Sequence, residues 1–219
     1  MHVVAVEKWT PERRRKLTRT ALVEAAGQVF ARRGFHGASL DEIAEIAGFT
    51  RGAIYKNFDG KEDLFFAVCD HFNERALRAF AELLEQGAAA AFDVPALAAI
   101  WQQMHRDDPE FFALGLEFRL YEIRNPEVHA RSAAHRERTR QMIAQFIEDN
   151  AAATGLTLKV PPATLAGILL ATSDGFAQTA HPDPGDDHLY EAFLELLIPA
   201  VIAYDPRSRP RHSPPTKKR

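Results

Sequence analysis

"SLDEIAEIAGFTRGAIYKNF", residues 39–58, places small and apolar residues at intervals that decide the fold. Ser39-Leu40-Asp41-Glu42 has the form of a capping box, so a helix starts at Leu40. Leu40, Ile43, Ala44 and Ala47 form its apolar face, and Gly48 stops it. Thr50 stands as the cap of a second, short helix that ends near Phe58. Two crossing helices need a small residue where they pass closest, positive φ in the tight turn between them, and an apolar plug beneath the second. Ala44, Gly48 and Ile54 meet these needs in order. The pattern is that of a helix-turn-helix, whose second helix lies in a DNA major groove. Ile54 and Phe58, four apart, anchor one face, leaving Thr50, Arg51, Tyr55, Lys56 and Asn57 for a nucleic acid. Arg can bond guanine with two donors and Asn can do the same for adenine, while Tyr, Thr and Lys commonly grip phosphates. Lys61 opens the next helix, where free backbone N–H groups favour an anion. Spacing alone also fits an ordinary helical hairpin with a solvated basic face.

Outward from this stretch the punctuation remains helical. Thr10-Pro11 starts a first helix with the apolar repeat Leu17, Ala21, Ala25 and Val29, and Gly34 ends it. A fourth helix begins near Lys61 with Leu64, Val68, Phe72, Ala79 and Leu83. Asp93 and Pro95 open a helix to about residue 105, and Asp108-Pro109 opens the next, which Asn125-Pro126 breaks near residue 124. A long polar helix follows over about 127–153, then an apolar one over 162–178 and a last one over 188–204. The run HPDPGDD, residues 181–187, reads as a loop. No segment reads as a strand. The expected fold is therefore all-α, with about nine helices.

Composition bounds the function. The chain has 219 residues, 46% of them hydrophobic and 26% charged, which suits a packed soluble protein. No run of eighteen apolar residues spans a membrane, and the first residues lack the order of a signal peptide, so a cytoplasmic location and no membrane partner are expected. Cys69 is the single cysteine, so no intrachain disulfide forms. The net charge of −3 hides an asymmetry. Residues 1–61 hold eleven Lys and Arg against seven Asp and Glu, a balance of +4. Residues 62–205 hold ten against twenty-three, −13, and residues 206–219 hold six against none, +6. An anionic partner for the N-terminal part follows from that distribution. The proline-rich cationic tail, 206–219, is expected to be disordered: either an arm that adds phosphate attraction or a solvated end without a role.

The stretch GASLDEIAEIAGFTRGAIYKNFDGKEDLF, residues 37–65, closely resembles the DNA-binding signature of TetR-family transcription regulators. Tyr55, Phe58 and Lys61 at successive intervals of three carry the likeness, as does a first helix ending in RRGF. It is strong over about residues 12–66 and architectural beyond them. The resemblance implies that Thr50, Arg51, Gly52, Tyr55, Lys56, Asn57 and Lys61 touch double-stranded DNA. The family often has an aromatic residue or histidine where this chain has Lys56 or Asn57. It also implies a homodimer on a palindromic operator, with two recognition helices about 34 Å apart, paired through the last two helices. Leu165, Leu169, Phe193, Leu197 and Val201 are the expected interface residues. The domain division that goes with it is 1–60 for the DNA-binding head with its N-terminal arm, 61–205 for ligand binding and dimerisation, and 206–219 for the tail.

No enzyme constellation is present. The nine histidines show no metal-ligand spacing, and His181, Asp183, Asp186, Asp187 and His188 read as an acidic loop rather than a metal site. No catalytic residue, metal or cofactor is expected. The aromatic residues of the C-terminal half fit either core or a pocket between helices. Trp101, Met104, Phe111, Phe118, Tyr121, Phe146 and Phe176 are the candidate walls for a small, mainly apolar effector, with Arg119 and Thr172 as polar contacts. The reading is a ligand-responsive repressor that releases its operator when the effector binds. A helical enzyme or carrier with no DNA role, and an architectural DNA binder without a ligand, stay open as alternatives.

Overall fold

The computed structural model describes residues 10–179 and 187–204. The expected N-terminal arm, most of the loop 181–187 and the tail lie outside the described residues. Nine α-helices occur among the described residues: α1 (Pro11–Gly37), α2 (Leu40–Ile46), α3 (Arg51–Tyr55), α4 (Lys61–Leu84), α5 (Val94–Asp107), α6 (Pro109–Arg124), α7 (Pro126–Thr154), α8 (Pro162–Thr179) and α9 (Asp187–Val201). A 3-10 turn, Ala88–Phe92, joins α4 to α5.

The caps follow local chemistry. The Thr10 hydroxyl accepts from the Arg13 amide at 3.2 Å, and Pro11 occupies the first turn, where no amide partner is needed. Ser39 accepts from the Asp41 and Glu42 amides at 3.1 and 3.4 Å. The Glu42 carboxylate, which a capping box would turn back, pairs with Arg33 Nε at 3.5 Å. Asp93 Oδ1 accepts from the Ala96 amide at the start of α5. Thr50 departs from expectation. Its backbone has the extended geometry of an N-cap, but its side chain makes no capping bond.

A second departure is a pair of short strands, β1 (Leu156–Leu158) and β2 (Ile202–Tyr204), antiparallel with Thr157 opposite Ala203. The last helix therefore ends at Val201 rather than Tyr204. Three residues per strand are too few to show a period of two, so neither strand is visible in the sequence. The α9 terminus is closed by the residue that follows β1: the Lys159 amide donates to the Val201 carbonyl at 2.8 Å, and its ammonium donates to the Pro199 carbonyl at 2.7 Å.

Packing divides the chain into two units. The first, called the head below, comprises residues through Asn73 together with Ala113–Ala130, and the second comprises Glu74–Phe112 and Arg131 onward. The expected division at residue 60 differs from these units, which place the start of α4 and most of α6 with α1, α2 and α3. Leu64, Phe65 and Phe66 of α4 and Leu114 and Phe118 of α6 complete the buried core begun by Leu22, Val29, Phe30, Phe35, Ile43 and Ile54. Phe118 stacks on Phe65, ring centroids 4.1 Å apart, and meets Phe35 edge-on at 4.8 Å. In the second unit α5 packs on α9. Val94, Ala98 and Trp101 meet Tyr190, Leu194 and Ile198, with Phe176 and Phe193 against them.

Candidate nucleic-acid interface

Gly48 adopts φ 74°, the positive value that the turn between α2 and α3 requires, and a Cβ there would meet nothing within 4 Å. The Phe49 amide closes the turn on the Ala44 carbonyl at 2.8 Å. Ala44, Ile54 and Phe58 are buried beneath α3, as the 39–58 pattern requires. Thr50, Arg51, Gly52, Tyr55 and Lys56 are all exposed on its outer side. Arg51 is held in place there: Nη1 donates to Asp41 Oδ2 at 2.8 Å, Nη2 donates to the Tyr55 hydroxyl at 3.2 Å. Both partners are exposed, so a phosphate or a guanine edge can replace them at little cost.

Two of the seven expected DNA contacts are placed differently. Asn57 turns back on its own helix, its Nδ2 donating to the Ala53 carbonyl at 2.8 Å, because α3 ends there and leaves that carbonyl open. Its own carbonyl accepts from Arg19 Nη1 at 2.9 Å. Lys61 is half-buried against the end of α1, its ammonium donating to the His36 carbonyl at 3.1 Å and lying 5.0 Å from the centre of the Phe35 ring. Burial pulls the Lys61 pKa down, with the Glu117 and Glu62 carboxylates opposing.

Basic residues outside the signature join the outward surface. Arg13, Arg14, Arg15 and Lys16 are exposed on the first turns of α1. Their only trace in the sequence is the N-terminal excess of cations. Arg19, two turns on, braces α1 against the end of α3, its guanidinium 4.2 Å from the centre of the Phe58 ring. Arg14, Leu17, Thr18, Ala21, Ala47 and Phe49 line an open groove of about 740 Å³.

The nine expected effector residues do not fall in one unit. Phe118, Arg119 and Tyr121 belong to the head; Trp101, Met104, Phe111, Phe146, Thr172 and Phe176 belong to the second unit. Phe118 is head core, and the Tyr121 hydroxyl donates to Glu62 Oε1 at 3.0 Å. Both polar guesses are engaged locally. Arg119 Nη1 donates to both oxygens of buried Glu122 at 3.1 Å, and Thr172 Oγ1 donates to the Ile168 carbonyl at 2.7 Å. Glu122 also accepts from His129 Nδ1 of α7 at 3.0 Å.

In the second unit Trp101 and Tyr190 stack 4.3 Å apart, with Phe176 edge-on to both. Trp101 is 6% exposed, and its indole N–H has no hydrogen-bond partner. Burial raises the Tyr190 pKa, against a hydrogen bond with Ser173 that lowers it. Tyr190 was open to sequence reasoning, since it begins the four-residue repeat continued by Leu194 and Ile198.

The five expected interface residues also divide. Leu165 and Val201 are buried in their own chain and offer no surface to a partner. Leu169, Phe193 and Leu197 are half-buried. The large apolar residues exposed on α9 are Leu189 and Leu196, the latter 78% exposed. Among the described residues no group of three His, Cys, Asp or Glu could hold a metal ion, and no helix is long and apolar enough to cross a membrane.

Known proteins resemble this chain. The model of the bacterial regulatory proteins of the tetR family matches residues 22–68, the span from α1 into α4. The HTH-type transcriptional regulator UidR of Escherichia coli K12 is 29% identical over 132 residues, 60% of this chain and 65% of its own length. The HTH-type transcriptional repressor AcnR of Corynebacterium diphtheriae is 26% identical over 192 residues, 87% of this chain and 94% of its own. A Rhodococcus regulator assigned to the TetR family shares the fold with a TM-score of 0.63 at 23% identity, covering 86% of this chain and all of its own. With the turn at Gly48, the buried Ile54 and the exposed face of α3 in place, residues 22–68 form a DNA-binding domain of the tetR family of bacterial regulatory proteins.

Proposed function

We propose that this protein is a ligand-responsive repressor that binds a two-fold symmetric operator as a homodimer and releases it when a small, mainly apolar effector occupies the second unit. The observation that carries the DNA part is the exposed row Thr50, Arg51, Gly52, Tyr55 and Lys56 standing over buried Ile54 and Phe58. A short helix anchored by one face and cationic on the other suits a major groove. Full-length similarity to a protein named a transcriptional repressor supports the direction of control. For the effector, support comes from the aromatic group of Trp101, Phe176 and Tyr190 with an unpaired indole donor inside it. An effector releases DNA only by preferring the conformation whose heads are wrongly spaced, since equal affinity for both conformations shifts nothing.

The test begins with selection of bound duplexes from a random pool at two salt concentrations. The expected product is an inverted repeat whose affinity falls steeply with salt. A thermal-shift screen with hydrophobic and amphipathic small molecules follows, and each hit is added to the DNA-binding assay. Hits that raise the melting temperature and weaken DNA binding establish the reading. Absence of salt-sensitive DNA binding removes it, and DNA binding that no hit alters removes the effector.

A further inference from the structure

The end of α1 is gripped by a carboxylate of α6. The helix loses its geometry at Gly34, where φ is 69° and ψ is 173°. That break strips the amides of Phe35 and His36 of their helical acceptors. Glu117 of α6 supplies both: Oε2 accepts from the Phe35 amide at 2.9 Å and Oε1 from the His36 amide at 3.0 Å. One carboxylate thus closes on two successive peptide groups with charge-assisted bonds. Lys61 of α4 holds the same corner from its carbonyl side, through the bond to His36 O, and the Glu117 charge acts on it. Gly34 makes room for the carboxylate, since a Cβ there would overlap Glu117 Oε2.

The corner so held leads directly into the reading elements. Ala38 follows it, Ser39 caps α2, and the turn at Gly48 then presents α3. We infer that Glu117 is a positioning residue for DNA recognition, acting with Lys61 to set the direction in which α2 and α3 leave α1. In this assignment Lys61 serves the geometry of the head, and α6 acts on the recognition helix by holding the backbone at residues 35 and 36. Residues 109–112 of α6 belong to the second unit and its remainder, Glu117 included, to the head. The inference rests on the DNA-binding reading above.

The test is random-pool selection with the full-length wild type and Glu117→Gln. The amide keeps the size of the side chain but replaces one acceptor by a donor facing an N–H. The expected variant selects the same bases within each half-site, because the outer face of α3 is unchanged, but over a broader range of half-site spacings. Its affinity for the wild-type site falls about tenfold, the loss of one hydrogen bond to a charged group. Amide exchange at Phe35 and His36, slow in the wild type, becomes fast in the variant. Glu117→Asp, which keeps the charge on a shorter arm, restores part of the spacing preference. A wild type that selects no DNA would end the DNA-binding reading itself. A wild type that selects DNA, with Glu117→Gln choosing the same spacing at the same affinity, would overturn the role given to Glu117. A lower melting temperature with spacing unchanged would also overturn it, leaving a structural bond only.

Discussion

At the scale of single residues, outward-facing groups are replaceable partners and inward-facing groups are not. Arg51 illustrates the first kind. Its bonds to Asp41 and Tyr55 are solvent-exposed and prepare the guanidinium without committing it. Arg51→Ala should cost about 1–3 kcal/mol of specific DNA binding and relax base preference at one position in each half-site, measured by titrating selected duplexes and their single-base variants. A uniform loss across all sequences would make Arg51 a phosphate contact. Tyr190 illustrates the second kind. Its phenol is buried in the aromatic stack, and burial raises its pKa above the ordinary value. The folded state therefore holds the proton more tightly than the unfolded chain. The stability that goes with the neutral phenol is fully present below the ordinary tyrosine pKa, about 10, and is lost as pH rises above it. Tyr190→Phe should flatten the alkaline limb of the curve of denaturation midpoint against pH; an unchanged limb would place the titrating group elsewhere.

At the scale of elements, what was legible in the sequence is what short-range chemistry decides. Helix starts at Thr10, Ser39 and Asp93 are side chain to amide bonds three residues apart or fewer, so the residues that make them are adjacent in the sequence. Ser39→Ala should cost about 1 kcal/mol, read as a lower midpoint of chemical denaturation with the slope unchanged. No loss would mean that Asp41 and Glu42 carry the helix start alone. The turn at Gly48 and the plug at Ile54 were legible for the same reason, lying within one short motif. The placements of Asn57, Lys61, Phe118 and Tyr121 were not. Asn57 answers to the carbonyl of Ala53, where the extent of α3 decides, and Lys61 to a carbonyl 25 residues away. Phe118 and Tyr121 read as a pocket because an aromatic stripe on a helix does not state which partner covers it. Phe35 and Phe65, far off in sequence, cover Phe118. The strands β1 and β2 pair across more than forty residues, with no turn signal to join them.

At the scale of the whole molecule, the proposed homodimer needs a surface, and α9 has two apolar faces to set against that need. One face, Tyr190, Leu194, Ile198 and Val201, is buried in its own chain, and Tyr190, Leu194 and Ile198 of it pack against α5. The other carries Leu189 and Leu196, at 41% and 78% exposure. A leucine that exposed costs little in isolation; in the proposed dimer this is the face of α9 that the partner covers. Placing a charge there separates folding from association. Leu196→Asp leaves the α5–α9 packing untouched, so the single chain should keep its circular dichroism and melt cooperatively. Across a two-fold interface the same change buries two unpaired carboxylates, costing several kcal/mol. Light scattering should then report a monomer at micromolar concentration where the wild type is a dimer. DNA affinity should fall by about 10²-fold or more, because the second half-site no longer gains from the first. Leu194→Asp, by contrast, should unfold the second unit. A wild type that is itself monomeric at that concentration, or a Leu196→Asp dimer with unchanged affinity, would move the interface away from α9.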